Sequence, residues 1–243
     1  NLTRCVESAG GSVSGLIFNP LAVSRALLSK NQRDLGVAVL DIGFGKTSLS
    51  VYEENKLLHV AVFPVGSGNA TNDLAIGLRT SIAAAENIKL TLGSVIAREV
   101  SARELVDLRK FDPGAKNSVS RRFISEILEV RLAEIFEFVD NELKRVGKSA
   151  RLPGGALLVG GGAKIPALVD LAKQELRLSV QIGIPNVSEF EIGSAELVSR
   201  AEDPEMACVL GLALWGKDRV GEQVSYERFG SGWLKKLFNL FIP

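Results

Sequence analysis

Three apolar runs, each closed by glycines, set the hydropathy pattern of this chain. In the first, Val37, Val39, Leu40 and Ile42 carry the β-branched bias of a buried strand, with Asp41 near its end. Gly43-Phe44-Gly45-Lys46-Thr47 then turns the chain, and Leu49, Val51 and Tyr52 alternate with Ser48, Ser50 and Glu53 as a second strand. After a turn at residues 53–56, Leu57 to Val65 predicts a third strand, completing a meander. Gly66-Ser67-Gly68 opens the second glycine turn. Thr71 or Asn72 is expected to cap a helix running to Leu78, and Thr80 or Ser81 another to about Leu92. The third run, Ala156 to Val159, enters Gly160-Gly161-Gly162, with a helix over Ala167 to Leu176, Pro166 in its first turn, and a strand over Val180 to Ile184.

Around these runs the periodicity lengthens. Phe123, Ile124, Ile127, Leu128, Leu132, Ile135, Phe136, Val139 and Leu143 form one helical stripe, which predicts a long helix from about Ser120 to Val146 ended by Gly147. Arg131 and Glu134 fall off that stripe and read as solvated, free to contact a partner. Upstream, Leu2 to Ala9 reads as a helix, Val13 to Asn19 as a strand and Leu21 to Leu28 as a helix. A meander extended by strand–helix–strand units predicts an α/β fold, a mixed sheet flanked by helices.

All three glycine turns follow strands, where ligands sit in open α/β sheets. Glycines at alternate positions point successive N–H groups at one spot, which suits a phosphate. A carboxylate such as Asp41 beside that spot suits a hydrated Mg²⁺. Taken by itself, the first stretch reads better as a hairpin whose glycines serve geometry alone, since short glycine motifs recur by chance; three such turns after strands shift the reading toward a phosphate or nucleoside site. Glu86 and Lys89 share one helix face, and by themselves read as an exposed salt bridge.

Composition narrows the classes. The chain has 243 residues, and a net charge of +1 gives it no global pull toward nucleic acid. A single histidine, His59, removes histidine triads and histidine-rich metal clusters. Cys5 and Cys208 lie far apart and read as free, buried thiols. No apolar run reaches the roughly 18 residues that span a bilayer.

These residues resemble the FtsA family of bacterial cell-division proteins, membrane-tethered actin homologues. Leu40-Asp41-Ile42-Gly43-Phe44-Gly45-Lys46-Thr47 resembles the second phosphate loop of the actin superfamily. Thr71 to Thr80, followed by Ala85-Glu86-Asn87-Ile88-Lys89, is the part most similar to FtsA alone. Leu158 to Ala163 resembles the adenosine loop, and Asp203-Pro204 through Ala213 the helix that returns to the first lobe. The resemblance implies an actin-like ATPase (ribonuclease-H-like) fold with an incomplete first lobe. Residues 1–35 would be a remnant of that lobe, 36–92 and 151–203 the nucleotide-binding second lobe, 93–150 its outer subdomain, and 204–216 the returning helix.

It also implies roles. Asp41 would position Mg²⁺ or water and be the catalytic carboxylate of a slow ATPase at most. Gly43, Gly45, Lys46 and Thr47, with Gly66 and Gly68, would surround the phosphates of ATP. Glu86 and Lys89 would approach the ribose, and Gly160, Gly161 and Gly162 the adenosine. Arg131 and Glu134 match positions that contact the C-terminal tail of FtsZ. Self-association into filaments, recruitment of later division proteins and residence on the cytoplasmic face of the membrane at the septum follow from the same resemblance. The family usually carries glycine at Phe44, threonine at Lys46 and aspartate at Ser48, departures that bear on hydrolysis more than on binding. With the front of the first lobe absent, weak or no ATP binding is expected of the chain by itself. Two alternatives remain: an actin-fold pilus-assembly platform of the PilM type, or a kinase of the same superfamily.

Residues 217–232 are polar and glycine-punctuated and read as a linker. Beyond it, Trp233, Leu234, Leu237, Phe238, Leu240 and Phe241 fill one arc of a helical wheel, opposite Lys235, Lys236 and Asn239. Such a face could also dock on the chain's own core, but behind a linker residues 233–243 read as an amphipathic membrane-targeting helix, its apolar face and Lys235 and Lys236 suiting the headgroup boundary of an anionic membrane.

Overall fold

A computed structural model describes residues 1–219 except Lys116. The meander forms as the alternation predicts: β1 (Val37–Ile42), β2 (Thr47–Glu53) and β3 (Lys56–Phe63) pair antiparallel. Glu54 and Asn55 turn β2 into β3 with left-handed backbones. A two-stranded hairpin, β4 (Leu105–Asp107) with β5 (Ser118–Ser120), stands apart. β6 (Ala156–Val159) joins β1 in parallel, and β7 (Val180–Ile182) joins β6 in parallel. The main sheet therefore runs β3-β2-β1-β6-β7, mixed, with β1 at its centre.

Strand alternation divides the core between the two faces. Ala38, Leu40, Ile42, Leu49 and Val51 pack under α4 (Ser67–Leu78), α5 (Ile82–Leu92), α6 (Arg121–Arg145) and α7 (Leu168–Leu176). Val37, Val39, Tyr52, Leu157 and Val159 face the other way, against Val23 and Leu27 of α2 (Asn19–Leu27) and Ala207. On that face Ser50, which a half-exposed strand would turn to water, is buried and shares a 2.9 Å bond with Ser24, which donates in turn to the Pro20 carbonyl at 2.7 Å. A buried hydroxyl pair of this kind satisfies groups that would otherwise be costly.

α1 (Leu2–Ser8) buries none of its residues, and α3 (Lys30–Leu35) is closed by a Ser29–Gln32 capping box. α8 (Ala195–Ala201) is also exposed, and a final helix, α9, runs through residues 207–219. Gly211 of α9 touches the chain at Ala22, where any Cβ would run into the carbonyl.

Several expectations change. Residues 13–18 join no ladder, and Asn19 already opens α2, because Pro20 suits the first turn of a helix and has no N–H for a strand pair. α4 begins at Ser67 rather than beyond Thr71, because Asn69 caps it by accepting the Gly66 N–H at 3.0 Å. Ser81 does cap α5, accepting from the Ala84 N–H. Pro166 precedes α7, which starts after Ala167 in a left-handed backbone. Cys5 is exposed rather than buried. Residues 217–219, read as linker, are helical; the rest of that stretch and the 233–243 segment lie outside the described residues.

Candidate functional site at the sheet end

The site is built where β1, β3 and β6 end. Asp41 sits opposite Ser48 on β2 and Val159 on β6, so the strand register alone delivers its carboxylate to the rim beside the glycine loop. Gly160 leaves β6 with φ +80°, and a Cβ there would collide with the Asp41 carboxylate and the Ile42 carbonyl. Glycine is required twice over at this position, for its backbone and for its lack of side chain. Burial pushes the Asp41 carboxyl above its ordinary value, and Lys46 nearby pulls it part of the way back. The Cys208 thiol of α9 lies within the same field: burial raises it first, and the Asp41 charge adds to the rise.

The second corner locks onto the first. Ser67 N–H donates to the Gly43 carbonyl at 2.9 Å and Gly68 N–H to the Phe44 carbonyl at 2.7 Å. A Cβ on Gly66 would come within 2.5–2.8 Å of Gly43, Phe44 and Lys46 backbone atoms. Two glycine turns far apart in sequence thus interlock backbone to backbone. Among the described residues, the N–H groups of Phe44, Gly45, Lys46, Gly161 and Gly162 meet no backbone acceptor. They are the donors a phosphate would use. Thr47 points away: it is fully buried, and its hydroxyl donates to the Val65 carbonyl at 2.8 Å, tying β2 to the second corner.

Glu86 and Lys89 are not an exposed pair. Lys89 is buried, its ammonium bonded to Glu86 at 2.8 Å, to Thr71 Oγ1 at 2.9 Å and to the Ser67 carbonyl at 3.3 Å. Three donors meet three acceptors, which is what a buried ammonium needs. Thr71 in turn donates to Glu86. Burial alone would raise the Glu86 carboxyl, but its bonds to Lys89 and Thr71 hold it below the ordinary range. Thr71, read from sequence as a helix cap, is instead the hinge pin between α4 and α5. The signal for it was a hydroxyl one position after Ala70 and three before Leu74, inside the buried stripe of a helix.

Beyond Gly161, Lys164 bonds Asp203 at 2.8 Å and Glu205 at 3.4 Å, closing the third corner under the approach to α9. The Asp203 bond is the main reason that the Lys164 ammonium is held above its ordinary value. Sequence reading did not find this latch, since its members lie about forty residues apart and only the fold joins them.

Arg131 and Glu134 lie on α6, away from the rim. Arg131 is not solvated: its guanidinium forks onto Asp73 of α4 at 2.6 and 3.2 Å and also pairs with Glu134. Half-buried packing between α4 and α6 brings Asp73 within reach, a contact the α6 stripe by itself does not reveal. Val130, Arg131, Glu134 and Glu137, with Glu175 of α7, line a shallow groove.

Residues 38–211 match the family model described as cell division protein FtsA. The chain is 39% identical over 186 residues to the cell division protein FtsA of Bacillus subtilis, covering 76% of this chain and 42% of that protein. It is 30% identical over 233 residues to the FtsA of Pseudomonas aeruginosa, covering 96% of this chain and 54% of that one. Among solved structures, MreB5 of Spiroplasma citri bound to ADP superposes with a TM-score of 0.68 at 16% identity, over 92% of this chain and 66% of that one. The chain spans about half the length of the curated relatives it matches. Its fold is the actin-like one, a mixed sheet between helices, and by sequence the chain belongs to the FtsA family of cell-division proteins.

Proposed function

We propose that this chain supplies the second-lobe half of a nucleotide site in an actin-like division adaptor. The observation that carries the reading is the meeting of the Asp41, Gly66 and Gly160 corners at one rim of the sheet, in a chain of this family. The free N–H groups of Phe44, Gly45 and Lys46 would take the phosphates, assisted by the Lys46 charge. Gly161 and Gly162 would pass the adenosine, and the Glu86 carboxylate, still one-third exposed, would accept a ribose hydroxyl. Thr47, buried and bonded to Val65, would hold the loop from behind.

The residues present fit a Mg²⁺ held mostly by phosphate oxygens and water. No cluster of three or more metal-ligating side chains exists among the described residues, and Asp41 is one carboxylate, as that mode of binding needs. The ion would supply charge neutralisation; Asp41, raised by burial, would hold its water shell.

The adaptor role adds two surfaces. The α6 groove with Arg131, Glu134 and Glu137 would receive the FtsZ tail, and the 233–243 segment would rest on an anionic membrane. Self-association and recruitment of later division proteins would follow as in the family. The family match does not favour the pilus-platform and kinase alternatives.

Titration with a fluorescent ATP analogue tests the site. Because the chain supplies one half of the site, weak binding strengthened by Mg²⁺ is expected, with Asp41→Asn keeping the binding and losing the Mg²⁺ dependence. An unaltered Mg²⁺ response in Asp41→Asn removes the metal role from Asp41, and no binding even at high analogue concentration, in this chain and in one extended to the full length of its relatives, removes the nucleotide reading.

A further inference from the structure

Phe44 stands in the middle of the glycine corner, and its side chain is used by nothing described above. Its backbone is pinned, since its carbonyl accepts the Gly68 N–H at 2.7 Å. Its ring folds back over the start of α4, so close to Gly68 that a Cβ there would lie 2.7–2.8 Å from two ring atoms. The ring centroid is 5.7 Å from the Lys89 ammonium, a cation–π distance. Yet Phe44 remains 63% exposed. A large apolar ring left mostly in water at a loop tip is not there for the core.

Its position is what gives it a consequence. The ring is carried by the turn whose Phe44, Gly45 and Lys46 N–H groups meet no backbone acceptor, and it reaches to 5.7 Å from the Lys89 ammonium of the Glu86–Lys89–Thr71 network. A nucleotide with its phosphates on the turn and its sugar at Glu86 has to cross the space between them, and the ring is in that space. We propose that Phe44 is a gate: in the empty site its ring covers the passage between the phosphate turn and the Glu86–Lys89 pair, and a nucleotide binds only after the ring swings out.

The gate is cheap to open. A swing of the ring toward solvent gives up one cation–π contact with the buried Lys89 ammonium and its packing on Gly68. While closed, it lowers the apparent affinity by the fraction of time that the site is open. The Gly68 position is part of the device, because any side chain there would push the ring away.

This inference rests on the nucleotide reading above, and its test separates the two. ADP with Mg²⁺ is titrated by calorimetry into the chain and into Phe44→Ala and Phe44→Gly. Both variants are expected to bind about three- to tenfold tighter, the gain from removing a closed state held by one cation–π contact and some packing. Phe44→Ala guards against a folding effect of the extra glycine, and the melting temperature of each variant is measured beside the titration. Equal affinity in all three chains overturns the gate and leaves the nucleotide site standing. Weaker binding in both variants overturns it too, and makes the ring a platform on which the ligand stacks. Absence of ADP binding in all three overturns the nucleotide site and the gate together.

Discussion

Lys89 shows how much a single buried charge constrains this fold. It is 3% exposed, and its three acceptors come from two helices, α4 and α5. Lys89→Met removes the ammonium and leaves Glu86 and Thr71 with each other only. Breaking a fully buried pair costs several kcal/mol; because Glu86 keeps a third of its surface in water, a loss of about 2 kcal/mol in urea denaturation is expected. The pH dependence follows with a definite sign. Glu86 is held below its ordinary 4.5, so the pair's contribution is complete above about pH 4.5 and fades as pH falls through the lower folded value. In Lys89→Met that acid-side loss should shrink, which stability curves between pH 3 and 6 measure. Asp41 works in the opposite sense, since burial raises it and its charge burdens the empty fold above its ordinary range. At this scale the sequence carried part of the site. Residue types and spacing made Asp41, the glycines and the Glu86–Lys89 pair visible. The fork of Arg131 onto Asp73, the Thr71 hydroxyl and the Lys164 latch were not visible, because each partner is chosen by packing between elements distant in sequence.

At the scale of elements, the strands and the long α6 followed their hydrophobic periods closely, since each buries a full stripe. Boundaries moved where a side chain competes for the backbone: Asn69 draws the start of α4 back to Ser67, and Pro20 turns an expected strand toward a helix. The least local of these contacts is α9 on α2. Gly211 approaches the Ala22 carbonyl with no room for a Cβ, whereas Gly216, one turn and a half further on, faces open space. Gly211→Ala is therefore expected to destabilise the chain by about 2–3 kcal/mol, the range for forcing a helix off its packed neighbour. Gly216→Ala should be neutral, or stabilise by up to about 1 kcal/mol through helix propensity. Equilibrium denaturation of the two variants side by side checks this, each serving as the other's control.

For the molecule as a whole, no described helix is long and apolar enough to cross a membrane. The proposed attachment is through the 233–243 segment, whose Trp, Phe and Leu residues and two lysines were legible only as a pattern. Each lysine near an anionic surface contributes on the order of 1 kcal/mol, so one such segment gives weak, salt-sensitive binding. Co-sedimentation with phosphatidylglycerol vesicles should pellet the chain at low salt, and far less of it once residues 233–243 are removed. Equal pelleting of both forms would sink the tether.

β1 is the seam of this sheet, antiparallel to its neighbour on one side and parallel on the other. Its Asp41 meets Gly160 only when β6 docks, and the intervening stretch holds α4, α5, the β4–β5 hairpin and all of α6. The corner thus depends on a contact that spans more than a hundred residues of chain, whereas each of its halves is a local turn. Drift in the length or sequence of the 93–150 excursion would leave the corner's geometry untouched so long as β6 still finds the same edge of β1. Evolution could remodel the outer face of that excursion while leaving the corner at the sheet end alone.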